Sequence, residues 1–155
     1  MSIFHAKVST GNGNEGTRIT LKFTRHREET ILHKLQKCRY IPKWIKTVEV
    51  TLPCDRDTGF MIAMEYRGVG LVDLSTDTIT QHFFGLARQL VEAVKEIHRE
   101  NVAHLDLKPQ NIVVLLEGGE AKLSIIDFGV SVIVENDGTT LDEIRGKLKD
   151  LRRQR

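Results

Sequence analysis

The sequence has little that would place it in a membrane, on nucleic acid or in an oxidising compartment. No apolar run approaches the roughly 18 residues that a spanning helix needs. The opening MSIFHAKVSTGNGNEG contains no apolar stretch of the kind a secretory leader carries. Formal net charge is only +2, too small for a field that draws a protein onto nucleic acid or an anionic bilayer, so neither is expected as a partner. Only two cysteines occur, Cys38 and Cys54, with no CxxC and no histidines at ligand spacing. That usage fits buried thiols in a reducing compartment, so the expected location is cytoplasmic, with the nucleus as the alternative. Repeats and low-complexity blocks are absent as well. What remains is a chain of 155 residues, 40% hydrophobic and 28% charged, the size and balance of one ordinary globular domain.

Hydrophobic patterning divides the chain into short elements. IFHAKV and RITLKF flank the glycine- and asparagine-rich TGNGNEGT and read as a β-hairpin over the first 23 residues. In TRHREETILHKLQKC, Ile31, Leu32 and Leu35 share one side of a short helix, and Cys38 continues the stripe. TVEVTL and FMIAMEY follow as strands joined by the turn-rich PCDRDTG. After the connector GVGLVDLSTD, Thr78 and Gln81 form a capping box. Phe83, Ala87, Leu90, Val91, Val94 and Ile97 then recur at helical spacing through Arg99, the strongest periodic signal in the chain. IVVLL and KLSII make a second hairpin around EGGEA. A second capping box, Thr140 with Glu143, opens an amphipathic helix expected over 141–152, with Leu141, Ile144, Leu148 and Leu151 on one face. The order of strands and helices is that of an α+β fold.

The chemistry is concentrated in 26 positions that hold His104, Asp106, Lys108, Asn111, Asp127, Phe128 and Gly129. Two carboxylates, one ammonium and one amide oxygen are what phosphoryl transfer requires. Asn111 and Asp127 supply hard oxygens for magnesium from two loops. Lys108 can neutralise charge on the transferring group, and Asp106 can orient the attacking hydroxyl and take its proton. His104 reads as structural, bonding backbone near the second loop.

HLDLKPQN resembles the catalytic loop of the protein kinase family, and DFG resembles its magnesium-binding motif. The resemblance extends upstream. MEYRGVGLVDL is similar to the kinase hinge, which implies Met64 as gatekeeper and Glu65, Tyr66 and Arg67 along the adenine site. ITLK is similar to V-A-I-K, implying Lys22 as the phosphate lysine and Glu28 as its partner on the following helix. The Lys-Pro within DLKPQN implies the serine/threonine type. The likeness covers about residues 17–131. It implies a kinase-like fold with ATP and Mg2+ as cofactors and a protein substrate, with 1–66 as a compressed N-lobe and 67–155 as a partial C-lobe.

Three departures from the family pattern bear on function. Leu105 stands where the family has the arginine that answers a phosphorylated activation loop, and the atoms of transfer are untouched by the change. Gly11, Gly13 and Gly16 spell G-x-G-x-x-G, yet Lys22 follows Gly16 by only six residues. Either the glycines cover phosphates and Lys22 is on the wrong strand, or Lys22 is the phosphate lysine and the glycines are a hairpin turn. The turn is the better reading, because a lone motif of this kind is weak. Finally, only 26 residues follow Gly129, with no A-P-E, which leads to the expectation of a domain cut short. The 141–152 helix is then expected to fold back over the long helix. An alternative function follows: a kinase-like module that docks on a partner kinase.

Overall fold

The computed structural model describes residues 17–24, 28–51 and 58–134, the backbone of 2–8, and positions 142, 145, 146 and 149. Strands β1 (Ser2–Val8), β2 (Thr17–Thr24), β3 (Trp44–Thr51) and β4 (Thr58–Glu65) form one antiparallel sheet in the order β1-β2-β4-β3. Its register pairs Lys22 with Ile62 and Thr20 with Met64. Ile62 and Met64 are buried, so β2 presents a lysine to the apolar side of the sheet. The glycine motif at 11–16 and Cys54 lie outside the described residues. Val8 pairs with Thr17, so the strands flanking that motif meet at the end of β2 remote from Lys22, about 16 Å along the strand.

Helix α1 (Glu29–Lys34) is short and tightens into a 3-10 turn at Leu35–Lys37. Leu32, Leu35 and Cys38 are buried on its inner side, and Cys38 is a free thiol. The segment after it crosses to helix α2 (Thr76–Arg99). Arg39 binds Glu92 at 2.9 Å and Glu96 at 3.1 Å, the Tyr40 hydroxyl donates to Glu92 at 2.5 Å, and the Ile125 amide donates to the Tyr40 carbonyl at 2.9 Å. These bonds fasten the first sheet to the second half of the chain.

Helix α2 begins two residues before Thr78. Its cap is Ser75, whose Oγ accepts from the Thr78 amide at 3.2 Å, so the box at Thr78 and Gln81 is displaced by three positions. Thr78 sits at the third helical position of a cap headed by Ser75, where its hydroxyl lies 2.8 Å from Ser75 Oγ. The buried face is also rotated from the expected one. Leu86, Ala93 and Ile97 are buried, whereas Phe83 and Val91 are each 55% exposed. The apolar band on α2 is wider than one neighbour can cover, and the second sheet takes only one flank of it.

That second sheet has the order β5-β7-β8, from β5 (Val69–Gly70), β7 (Ile112–Glu117) and β8 (Glu120–Ile125). A side chain of α2 completes its edge: Gln89 donates to the Ala121 carbonyl at 2.8 Å and accepts from the Leu123 amide at 2.9 Å. Strands β6 (Val102–Ala103) and β9 (Val132–Ile133) form a two-residue bridge. No periodicity reveals strands so short, yet this bridge closes the segment from His104 to Ser131 into one loop system. Of the helix expected over 141–152, residues 142, 145, 146 and 149 are helical and exposed; its other positions lie outside the described residues.

The link from β4 to β5 depends on Gly68. Its φ is +103°, and a Cβ there would lie 1.9 Å from the Val114 carbonyl oxygen on β7. Gly119 also has positive φ, +82°, but a Cβ would meet nothing within 4 Å. Gly119→Ala is therefore expected to cost about 1 kcal/mol, from backbone strain alone. Gly68→Ala should cost about 3 kcal/mol or more, because β5 must also separate from β7. Denaturant unfolding of both variants checks the difference.

Candidate active site

Lys22 is 3% exposed and Glu28 1% exposed. An ammonium and a carboxylate at that depth must be paired, and here they bind each other. The other Lys22 partner is Asp127 Oδ1, at 2.7 Å. The second Glu28 oxygen accepts from the Phe128 amide at 3.2 Å. Glu28 immediately precedes α1 and caps it through its backbone, with the Leu32 amide donating to its carbonyl at 2.9 Å. One buried ion triad thus joins a strand, a helix terminus and the Asp127-Phe128-Gly129 turn, which lies about a hundred residues further along the chain.

The electrostatics of the triad are asymmetric. Burial pushes the Glu28 carboxyl above its ordinary value, and the Lys22 charge and hydrogen bond only partly offset it. Burial acts on Asp127 in the same sense. There, the charge and hydrogen bond of Lys22 and the Gly129 amide prevail and hold the carboxyl below its ordinary range. Asp127 thus stays an anion beside the cleft, as a cation ligand must.

Asp106, Lys108 and Asn111 form a second cluster on the loop after β6. Lys108 Nζ donates to Asp106 Oδ2 at 2.5 Å. Asn111, 3% exposed, donates its amide to the Asp106 carbonyl at 2.9 Å and to Asp106 Oδ2 at 3.2 Å. The loop is carried into the core by the turn Pro109–Asn111, and the Ile126 amide donates to the Asn111 carbonyl at 3.0 Å. Because the amide nitrogen of Asn111 is turned to Asp106, its oxygen faces away as the remaining acceptor.

His104 holds the two clusters in register. Its Nε2 bonds the Ile126 carbonyl at 3.0 Å, its Nδ1 accepts from the Asp106 amide at 3.3 Å, and its carbonyl accepts from Ser131 Oγ at 3.0 Å. Its ring packs on Phe128 with centroids 4.8 Å apart. Leu105 between His104 and Asp106 has φ +65°, and Asp127 has φ +69°. Both motifs therefore turn through the left-handed region, at a cost of about 1–2 kcal/mol each that the surrounding bonds must meet.

A cleft opens between the two sheets. Thr20, Lys22 and Met64 line one side, and Val113, Ile126 and Asp127 the other. Glu65 and Arg67 line its back and pair at 3.0 Å. Tyr66 is off this wall, with its ring 5.7 Å from the Arg18 guanidinium carbon. The sequence reading missed Thr20, Val113 and Ile126. The signal for one of them was available: Thr20 is two residues before Lys22 on β2, so strand alternation puts the pair on one face. Among the described residues no three His, Cys, Asp or Glu side chains converge as a metal cluster, and no helix is long and apolar enough to cross a membrane.

The neutral tautomer of His104, donating at Nε2 and accepting at Nδ1, satisfies both ring nitrogens. Burial accordingly holds its pKa below the ordinary 6.5; the Ile126 carbonyl and the nearby carboxylates oppose this without reversing it. The unfolded chain then takes up the proton first as pH falls. Stability from this group is fully present above the ordinary value and is lost as pH drops toward the lower folded one. The slope of unfolding free energy between pH 7 and 5 should be shallower in His104→Gln than in the parent, as read by denaturant titration; equal slopes would refute the assignment.

Comparison with known proteins agrees with this geometry. The family model described as protein kinase domain matches residues 11–149. Serine/threonine-protein kinase 17A of Oryctolagus cuniculus is 48% identical over 61 residues, covering 39% of this chain and 15% of that protein. Calcium-dependent protein kinase 27 of Arabidopsis thaliana is 33% identical over 93 residues, covering 55% of this chain and 19% of that protein. Mitogen-activated protein kinase 20 of Arabidopsis thaliana is 39% identical over 70 residues, covering 45% and 11%. The chain spans less than a fifth of the length of these relatives. With the family model matched over most of its length, and with the buried triad and the Asp106 loop in place, the chain belongs to the protein kinase domain family.

Proposed function

We propose that the protein binds ATP with Mg2+ in the cleft between the two sheets and transfers the γ-phosphate to a serine or threonine hydroxyl of a protein. The observation that carries this reading is the approach of Asp127 to Lys22 and Glu28 beside the Asp106 loop. Lys22 and Asp127, from segments 105 residues apart, meet at one opening, and the buried Glu28 binds both Lys22 and the Phe128 amide. In this reading residues 1–66 and 67–155 correspond to the two lobes, and the compartment is cytoplasmic.

The donor set fits magnesium. Asn111 offers an amide oxygen and Asp127 a carboxylate held ionised. Two hard protein oxygens leave the remaining positions to water and to phosphate oxygens, the way magnesium is commonly held with nucleotides. When bound, the ion would neutralise charge on the phosphates. Lys22, paired with Glu28, would hold the non-transferred phosphates. Met64, Val113 and Ile126 give the apolar walls an adenine ring needs, with Glu65 and Arg67 along its edge. The Asp106 carboxylate, oriented through Oδ2 by Lys108 and Asn111, would accept the hydroxyl proton, and Lys108 would contact the transferring group. The Lys-Pro of the loop and the serine/threonine kinase among the relatives support the acceptor type. Leu105 leaves this set without the arginine that would answer loop phosphorylation. The presence of Asp106, Lys108, Asn111 and Asp127 together favours transfer over the reading as a docking module for a partner kinase.

Asp127→Ala is expected to weaken Mg2+-dependent ATP binding at least about tenfold, a change of about 1.4 kcal/mol. Asp106→Ala should leave that binding within about twofold and lower transfer by about a hundredfold or more. Calorimetry and a radiolabel transfer assay with a mixed serine/threonine peptide substrate measure the two. ATP binding that is indifferent to both Mg2+ and Asp127 would sink the proposal. Intact binding without transfer in the parent would leave the docking module.

A further inference from the structure

The segment after α1 covers one flank of α2 through Arg39 and Tyr40, and β8 covers the next. A third flank is apolar and bare. Phe84 is 86% exposed, and Phe83 and Val91 are 55% exposed each. At about 100° per residue, Phe83, Ala87, Val91 and Phe84 fall within an arc of about 100°. The two phenylalanine rings meet edge to face at 5.5 Å between centroids. Two aromatic rings and a valine side by side expose a few hundred Å², a patch that soluble proteins usually cover.

We propose that the chain's own segment 141–151 covers this flank as a helix antiparallel to α2. The path of the chain supports it. The Val134 amide donates to the Asn101 carbonyl at 2.6 Å, so the described core is left beside the C-terminal end of α2. Six residues, 135–140, reach about 20 Å when extended, and Val91 is about 15 Å from Asn101 along the helix axis. A helix over 141–151 is about 15 Å long, against about 12 Å from Val91 to Phe83.

The pattern of the segment fits the same pose. Asp142, Arg145 and Lys149 are helical and exposed, with Asp142 and Arg145 paired at 3.5 Å. Helical spacing puts Leu141, Ile144, Leu148 and Leu151 within an arc of about 80°, available to the phenylalanines. The antiparallel direction also matches charge to charge. Asp142 and Glu143 come beside Lys95 and Arg99, while Arg152 and Arg153 come beside Asp77. The opposed helix dipoles favour the same direction. A parallel pose would set like charges against each other at both ends.

The test uses the full chain with Phe84 replaced by photo-reactive p-benzoylphenylalanine, irradiated at micromolar concentration, with adducts mapped by mass spectrometry. A cross-link from position 84 to residues 141–151 within a single chain is the expected result. A control with the same reagent at Gly85, exposed and about 150° round α2 from the centre of the patch, should give no such product. Leu148→Asp lies outside the described core and should cut the adduct yield at least about fivefold with unchanged circular dichroism. Cross-links only between two chains would show that a second copy covers the flank and would overturn the proposal. So would the absence of any adduct on 141–151, or a yield indifferent to Leu148→Asp.

Discussion

A lysine ammonium placed on the apolar side of a β-sheet is the constraint on which this structure turns. Lys22 pairs in register with Ile62, and leaving its charge unmatched there would cost several kcal/mol. The match comes from Glu28, six residues on, and from Asp127, 105 residues on. Satisfying that one charge draws the start of α1 and the turn after β8 to the same point. Glu28 extends the effect by accepting from the Phe128 amide, which sets Phe128 into the core against His104. A group that would be a liability in an ordinary core thereby positions both halves of the cleft.

Much of the site could be read from residue types and spacing, because chemistry-bearing residues crowd into two short motifs. Asp106, Lys108 and Asn111 are within hydrogen-bond reach simply because six residues of loop hold them. The pairing of Lys22 with Glu28 needed more, since a strand end and a helix start six residues apart can diverge in any direction. It was anticipated through resemblance, and the structure shows the contact. Tyr66 shows the reverse: it was grouped with its neighbours in the hinge, but its side chain is off the wall that Glu65 and Arg67 share.

Elsewhere the sequence misled for identifiable reasons. Thr78 and Gln81 satisfy the capping pattern as well as Ser75 and Thr78 do, and the helix starts at the earlier of two adequate caps. The expected inner face of α2 was the longest apolar stripe, but helices bury the flank that their neighbours reach. Gln89 is the informative residue there, a polar side chain on the inner face that closes the open edge of β8. The β6–β9 bridge and the steric demand at Gly68 left no sequence signal, since both depend on what lies opposite in space.

The central claim is that Lys22 and Glu28 act as one unit that sets the Phe128 turn. A double-mutant cycle with Lys22→Met and Glu28→Gln, read by denaturant unfolding, tests it most directly. Glu28→Gln removes the charge and keeps an oxygen for the Phe128 amide. Coupling of about 1.5 kcal/mol or more is expected, with the double variant more stable than the sum of the single losses implies. Additive losses, within about 0.5 kcal/mol, would contradict the account.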